Sequence, residues 1–199
     1  MIANPYTRLP NGKSIRLLRL FPGLEDTERI ECELFDCSLD IEGLLSFQAL
    51  SYCWGDATIT EDIFVNGHVF HVTVNLAQAL RSLRNYDAPR VLWVDAVCIN
   101  QQDPKEQGAQ VAMMWDIYAS ASSVIIWLGP LDRDCAVAME NFRQGAAQAK
   151  LQARSNMDRT GKRCGCHAGE GSTHPDRVGV LKLIGREWFT RIWVGMRLD

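Results

Sequence analysis

The sequence has no long apolar run: no uninterrupted apolar stretch approaches the ~20 residues that cross a bilayer. Residues Met1–Pro10 contain two prolines and several polar side chains, which does not fit a secretory leader. The seven cysteines are odd in number and lack the spacing of a disulfide framework. Cys32, Cys53 and Cys98 lie in apolar or alternating segments, where a free thiol packs as a small hydrophobe. We therefore expect a chain of a reducing, cytoplasmic compartment without a membrane span.

Concentrated positive charge is also missing. The formal net charge is −3, and the one basic run, Arg154–Arg163, is interrupted by Asp158. Because nucleic-acid binders usually carry a clustered basic surface, no nucleic-acid partner is expected. The sequence contains no P-loop, no GxGxxG after a strand and no GxSxG elbow. The composition itself, 47% hydrophobic and 23% charged, is that of an ordinary globular chain.

The first third of the chain reads as strands. Alternation of apolar and polar residues predicts half-buried strands. An Asn66-Gly67 pair between two apolar runs predicts a tight hairpin, because both residues adopt the positive φ that a two-residue turn needs. The predicted strands are Ser14–Phe21, Ile30–Phe35, Phe47–Tyr52, Ile63–Val65 and Val69–Val72.

From Asn75 onwards the pattern alternates between helices and strands. Asn75 is a good N-cap for a helix that carries Leu76, Ala79 and Leu80 on one face. The apolar runs Arg90–Val97 and Val124–Leu128 predict buried parallel strands. Helices are predicted over about 104–121 and 135–151, and a mobile loop insertion near 155–177. The sequence thus predicts a single α/β domain over 1–199, with a parallel-core sheet flanked by helices and an added β-hairpin.

Three blocks together resemble the heterokaryon-incompatibility (HET) domain of filamentous fungi. They are Ala49–Gly55 (ALSYCWG), Leu92–Gln101 (LWVDAVCINQ) and Arg186–Val194 (REWFTRIWV), in the order and spacing of that family. At the position where the family usually continues with a Gln-Glu pair, this chain has Gly195-Met196. Either the chain diverges there or it lacks the usual continuation.

The resemblance implies a fold related to the TIR domain and an association with programmed cell death. Many TIR domains cleave NAD with a glutamate on the helix that follows a central strand. By analogy, the resemblance implies an NAD(P) glycohydrolase with NAD as substrate and no bound cofactor. It also implies a regulatory domain or self-association, since HET domains are often the effector parts of larger receptors.

Glu106 and Asp95 are the candidate catalytic residues. Glu106 begins a helix that follows an apolar strand, and ligands of open α/β sheets bind where strands end. Its alternative role is structural, because Asp103, Pro104 and Glu106 have the spacing of a capping box. Asp95 interrupts an apolar run, so its carboxylate needs a partner. It lies either at a pocket floor or in a structural pair with Arg191, Arg186 or a backbone amide.

The candidate substrate-binding residues share one property: each follows or ends a predicted strand. An aromatic ring stacks on a nucleobase or a nicotinamide, a glycine permits close backbone approach, and amides orient a ligand. The alternative for the aromatic residues is the core. The candidates are Ser51, Tyr52, Trp54, Gly55, Asn100 and Gln101.

The cluster Cys164, Cys166, His167 and His174 matches no common zinc spacing, so no metal is expected. Three functional hypotheses stay open. The first is an effector enzyme that cleaves NAD or a related nucleotide. The second is a non-catalytic signalling module that acts by self-association. The third is a divergent family member that acts in small-molecule metabolism.

Overall fold

A computed structural model describes residues 5–10, 12–23, 29–40 and 45–160, together with positions 182, 185, 186 and 188. The chain divides into two compact units, Met1–Gly129 and Pro130–Asp199. The first unit contains β1 (Ser14–Leu20), β2 (Glu31–Ser38), β3 (Gln48–Tyr52), β4 (Thr60–Val65), β5 (His68–Thr73), α1 (Val74–Leu83), β6 (Arg90–Trp93), α2 (Asp95–Cys98), α3 (Pro104–Ala112), α4 (Met114–Ser120) and β7 (Ser123–Trp127). The described part of the second unit contains α5 (Arg133–Thr160).

The strands form one seven-stranded sheet in the order β5-β4-β2-β1-β6-β3-β7. β3 pairs in parallel with β6 on one side and with β7 on the other. β1 is antiparallel to both β2 and β6, and the β4–β5 hairpin extends the far edge through a short parallel pairing of β4 with β2. The predicted α/β class, with a sheet flanked by helices and an added hairpin, is confirmed. The parallel core is limited to three strands.

Burial explains why these segments form one sheet. Ile15, Leu17, Leu18 and Leu20 of β1 are at most 1% exposed, so this central strand is covered on both faces. Trp93, at the end of β6, is completely buried. Leu76, Ala77, Ala79 and Leu80 of α1 are also completely buried, as the helical spacing predicts. β1 and β6 therefore lie at the centre of the hydrophobic core.

Three element boundaries differ from the sequence-based predictions. β6 ends at Trp93 because the next residues coil into α2, where Cys98 N donates to Val94 O at 2.7 Å. Thr73, not Asn75, caps α1, because the chain enters the helix directly from β5 and Leu76 N bonds to Thr73 Oγ1. The helix predicted over about 104–121 is interrupted at Met113 (φ −92°, ψ 0°) and forms α3 and α4.

The predicted insertion near 155–177 is wrong over its first residues. α5 continues through 155–160, since the chain from Ala146 onwards contains neither Gly nor Pro before Gly161. The remainder of that insertion lies outside the described residues. Within the described residues, no helix is long and apolar enough to cross a membrane.

The turn between β4 and β5 provides a test of backbone strain. Asn66 and Gly67 have φ of +52° and +78°, and a Cβ at Gly67 would meet nothing within 4 Å. Gly67→Ala therefore introduces only the left-handed penalty, and we expect a loss of about 1–2 kcal/mol in the free energy of unfolding. Urea denaturation followed by circular dichroism measures it.

Gly108, inside α3, is the matched control. A Cβ there also meets nothing within 4 Å, but no positive φ is involved. Gly108→Ala should raise the free energy of unfolding by about 0.5–1 kcal/mol, because alanine is the better helix former. Equal effects of the two substitutions would contradict this account of the turn.

Candidate functional site

The site begins where β3 ends. Cys53, Trp54 and Gly55 follow the last residue of β3, and the connection 53–59 carries the chain from near one edge of the sheet towards the other. Gly55 has a φ of +74°, and a Cβ there would meet only Asn75 Cβ at an ordinary 3.5 Å. The glycine is therefore needed for this backbone conformation more than for close approach. The turn leaves Trp54 39% exposed.

Asp95 lies at the end of the neighbouring parallel strand, as the first residue of α2. Trp54 Nε1 donates to Asp95 Oδ2 at 3.2 Å, and Ala96 N donates to Asp95 Oδ1 at 2.8 Å. Asp95 is half-buried at a strand end and does not interrupt a strand, in contrast to the sequence-based interpretation. The hydrogen bonds orient a carboxylate at the carboxyl edge of the parallel strands.

Asn75 joins the third parallel strand to this edge. Its Nδ2 donates to Cys53 O at 2.5 Å, and its Oδ1 accepts from Trp127 Nε1 at 2.9 Å. Later in the chain, β6 pairs on one side of β3 and β7 pairs on the other side. The order of strands therefore reverses beside β3. Ligands of open α/β sheets bind in the crevice at such a reversal. Sequence reasoning assigned Asn75 only to a helix cap and missed this bridge.

A cavity of about 240 Å³ lies against Trp54. We call it the aromatic cavity. Its walls are mostly apolar and come from four separate segments of the chain. The ring of Tyr6 meets the ring of Phe70 edge-on, with centroids 6.2 Å apart. The residues that line the cavity are Tyr6, Trp54, Ala57, Thr60, Phe70, His71, Val72, Thr73, Ala96, Gln101 and Gln102.

A short relay of amides connects this cavity to α3. Gln101 Nε2 donates to Asp95 O at 2.9 Å, and Gln107 Nε2 donates to Gln101 Oε1 at 3.0 Å. Gln101 is half-buried, whereas Gln107 is exposed on the helix. The side chain of Gln101 therefore has a defined orientation beside Trp54.

Glu106 forms a buried ion pair with Arg16. Arg16 is 1% exposed in its side chain, and its Nη1 and Nη2 donate to the two Glu106 oxygens at 2.5 and 3.0 Å. Glu106 Oε1 also accepts from Asn100 N at 2.8 Å. Arg16 further donates to Thr7 O and to Cys98 O, and lies 5.0 Å from the centroid of the Tyr6 ring. Both carboxylate oxygens of Glu106 are thus engaged within the protein.

The capping-box alternative for Glu106 holds only in part. Asp103 Oδ1 accepts from Lys105 N and Glu106 N, as an N-cap does. The reciprocal bond is absent among the described contacts of Asp103, whose backbone N–H donates to Asn100 O. Glu106 instead lines a cavity of about 760 Å³ between residues 6–14 and α3. The structure brings Trp54 and Asp95 together and places Glu106 at this second cavity, with Tyr6 lining both.

The other candidate residues divide between core and strand ends. Ser51 and Tyr52 are 3% and 1% exposed, so the core alternative describes Tyr52 but not Trp54. Asn100 lines the second cavity and Gln101 the aromatic cavity. The roles of these residues in substrate binding stay predictions.

Two arginines were predicted as alternative partners of Asp95. Arg186 donates to Asp132 Oδ2 and to Pro130 O, and Arg191 lies outside the described residues. The catalytic roles predicted for Asp95 and Glu106 stay predictions as well.

The Cys98 thiol, in α2 close to Asp95, is not available as a nucleophile. Cys98 is completely buried, and burial raises the pKa of its thiol to about 12. Such a thiol stays protonated near neutral pH and is a poor nucleophile. No group of three or more metal-ligating side chains occurs among the residues that the structure describes. Cys164, Cys166, His167 and His174 lie outside them.

This combination defines an α/β domain with a carboxylate and an aromatic cavity at the ends of parallel strands. The family described as "Heterokaryon incompatibility protein (HET)" matches residues 47–195, so the chain belongs to the HET family. "Heterokaryon incompatibility protein 6, OR allele" of Neurospora crassa is 39% identical over 217 residues. That alignment covers 90% of this chain and 31% of the relative, so the chain spans about a third of the relative's length. No solved structure matches the chain.

We expect the buried ion pair between Arg16 and Glu106 to affect the free energy of unfolding when one partner is removed. Arg16→Met leaves a carboxylate at low exposure without its cation, and we expect a loss of about 3–5 kcal/mol in the free energy of unfolding. Adding Glu106→Leu to that variant should recover much of the loss, because no uncompensated charge remains. Chemical denaturation of the two single variants and the double variant measures the coupling.

Arg143 and Glu140 provide the control pair. They form a similar contact at 2.9 Å, but both are exposed to solvent. Arg143→Met should leave the unfolding curve unchanged, since exposed ion pairs contribute little. If Arg16→Met behaves in the same way, the buried pair does not hold the first unit together.

Proposed function

We propose that this HET domain is an effector of heterokaryon incompatibility, linked to programmed cell death, that binds NAD(P) and cleaves its glycosidic bond. The named function of the Neurospora relative supports the first part of this proposal. The second part rests on one observation: Trp54, hydrogen-bonded to Asp95, forms a wall of the aromatic cavity beside the ends of β3 and β6. The volume of the aromatic cavity, about 240 Å³, suits one flat ring of a nucleotide. Its lining, mostly apolar with a few polar groups, is typical of sites that bind small organic ligands.

The reaction requires a negative group close to the ribose. In the proposed step, the bond between C1′ and the pyridinium nitrogen of NAD breaks, and its electron pair neutralises the ring to nicotinamide. A water oxygen bonds to C1′, and the proton of that water leaves to solvent. Positive charge develops on the ribose as the bond breaks, and an oriented carboxylate stabilises it. The products are nicotinamide, ADP-ribose and a proton.

Asp95 is the carboxylate to which the proposal gives this role. Its Oδ2 is held by the indole of Trp54, which itself faces the aromatic cavity. Glu106 contributes by positioning, because it accepts from Asn100 N and thereby fixes the loop that carries Gln101. Its two oxygens are already paired with Arg16, which makes direct contact with a ribose harder to achieve.

Nicotinamide release from NAD tests this assignment. Asp95→Asn removes the charge but keeps the shape, so we expect kcat to fall about 10²-fold or more. Its NH₂ replaces the acceptor of one of the two N–H donors, Trp54 Nε1 or Ala96 N, so any fall in melting temperature is expected to be that of one lost hydrogen bond. Glu106→Gln should lower the melting temperature, because Arg16 is left partly uncompensated. Chromatographic quantification of nicotinamide, with thermal melts of each variant, separates the two effects.

Lys105→Gln is a suitable control, since it changes a charge on α3 without touching the aromatic cavity. Full activity of Asp95→Asn would remove Asp95 from the mechanism. Loss of activity in Glu106→Gln at an unchanged melting temperature would transfer the catalytic role to Glu106.

A second candidate function is a non-catalytic module that signals by self-association. Two observations favour it. Both carboxylate oxygens of Glu106 are paired with Arg16 within the protein, and α3 and α4 each expose an apolar side chain to solvent. Val111 on α3 is 53% exposed and Trp115 on α4 is 63% exposed. Exposed apolar side chains that lie together often mark a protein interface. Concentration-dependent sedimentation without nicotinamide release would support this candidate over the enzyme.

A further inference from the structure

The outermost strand β5 leaves part of its main chain without a partner. Among the described strands, β5 lies at one end of the sheet and pairs with β4 alone. Phe64 N of β4 donates to Ile30 O at 2.8 Å, which turns this N–H away from β5. Residues that lie opposite each other in an antiparallel pair exchange two hydrogen bonds or none. Val69, opposite Phe64, and His71, two residues further along, therefore direct their main-chain N–H and C=O groups away from β4.

The aromatic cavity lies along this free edge of β5. Four consecutive residues of the strand, Phe70–Thr73, line it, whereas Val69 does not. Successive side chains of a strand point to opposite faces, so a cavity that meets four residues in succession runs along the edge of the strand. Because β4 occupies the other edge, the cavity lies on the free one. The main-chain N–H and C=O of His71 therefore face the aromatic cavity.

Neither main-chain group of His71 has a hydrogen-bond partner within the part of the chain that the structure describes. The imidazole is engaged elsewhere, since its Nδ1 lies 2.7 Å from Asp62 Oδ1 and both side chains are exposed to solvent. Polar side chains of Thr60, Gln101 and Gln102 also reach the lining. Hydroxyl and amide side chains can offer a donor or an acceptor, whereas the pairing of β4 with β5 fixes the direction of both main-chain groups.

The geometry points to the main chain of His71 as the group that recognises the ring in the aromatic cavity. It selects a ring that carries an acceptor and a donor side by side. A carboxamide meets this requirement, because its oxygen accepts from His71 N–H and its NH₂ donates to His71 C=O, as in one rung of an antiparallel ladder. The inference rests on the proposed function for the identity of the ring, which is nicotinamide.

Three pyridines test the rule by losing one group at a time. Nicotinamide carries the whole carboxamide, 3-acetylpyridine lacks the NH₂, and 3-methylpyridine lacks the carbonyl as well. Ligand-observed NMR titration on the whole chain measures the three dissociation constants near neutral pH. Each step should weaken binding ~5-fold, as the loss of one hydrogen bond implies. Equal affinities would overturn the rule.

Adenosine is the competing probe, because the edge of adenine also presents a donor and an acceptor side by side. NAD contains both rings. If adenosine displaces nicotinamide and binds more tightly, the aromatic cavity belongs to the other end of the dinucleotide, and the assignment to nicotinamide is overturned.

His71→Pro removes the main-chain donor itself. Proline is tolerated on an edge strand where its nitrogen faces away from the neighbouring strand, so the ladder with β4 is kept. The affinities of 3-acetylpyridine and 3-methylpyridine should then agree within ~2-fold, because the carbonyl has lost its donor. Nicotinamide should keep its ~5-fold advantage over 3-acetylpyridine, because His71 C=O remains. An undiminished advantage of 3-acetylpyridine over 3-methylpyridine would overturn the assignment.

Two matched variants control for the proline and for the imidazole. Val69→Pro places the same ring at the equivalent position of β5 outside the cavity lining, and should change neither affinity ratio by more than ~2-fold. His71→Gln removes the imidazole and keeps the main chain, so both ratios should again stay within ~2-fold. If His71→Gln abolishes the preference for the carboxamide, the side chain recognises the ring and the assignment is wrong.

A spectroscopic measurement tests the same atom without any proline. The sequence contains four histidines, so a chain labelled with ¹⁵N at histidine alone gives four main-chain amide signals. The signal that disappears in His71→Gln belongs to His71. Saturating nicotinamide or 3-acetylpyridine should move this amide proton downfield, because it gains an acceptor, and 3-methylpyridine should not. An unmoved signal at saturating nicotinamide would overturn the assignment.

The outcomes distinguish this inference from the proposed function. If the rings bind with the expected gradation but NAD is not cleaved, the recognition by His71 stands and the enzymatic proposal fails. If NAD is cleaved but the three pyridines bind equally, or the His71 amide does not respond, only the inference fails. If the wild-type chain neither binds the rings nor cleaves NAD, both are wrong.

Discussion

The ion pair between Arg16 and Glu106 is the constraint on which the rest of the first unit depends. A guanidinium at 1% exposure is costly to desolvate and needs a complete set of acceptors. Nη1 and Nη2 find acceptors in Glu106, Thr7 O and Cys98 O, which come from α3, the N-terminal segment and the end of α2, whereas Nε makes no hydrogen bond within the described residues and lies 3.7 Å from Asp36 Oδ1. One side chain of β1 therefore ties together three segments. The loop that bears Asn100 and Gln101 is held by the same carboxylate.

Local patterns in the sequence were sufficient for the regular elements. The alternation in β2, the Asn66-Gly67 turn and the apolar face of α1 depend on neighbours a few residues away, and all three were predicted. The end of β6 was not, because the apolar run continues through α2 and hydrophobicity does not distinguish a buried helical turn from a strand. The break between α3 and α4 at Met113 was not predicted either, because no proline or glycine stands at that position in the sequence.

The candidate site was predictable only where motif residues carry it. The blocks that resemble the HET family contain Trp54 and Asp95, and the structure joins those two by a hydrogen bond. The contacts of partners from elsewhere in the chain were missed: Tyr6 and Arg16 belong to no motif, Asn75 was assigned only to a helix cap, and long-range packing determines what all three contact. Arg16 offered one signal, since a charged residue inside an apolar strand needs a partner, but the identity of that partner depends on the tertiary fold.

The position of Tyr6 and Arg16 has a consequence for how a working unit can be excised from this chain. The family match begins at residue 47, whereas Arg16 and Tyr6 both precede it. A fragment cut at the start of the matched block would lose β1 and β2 from the middle of the sheet, and the wall that Tyr6 contributes to both cavities. The family match thus marks a shorter segment than the one that forms the sheet.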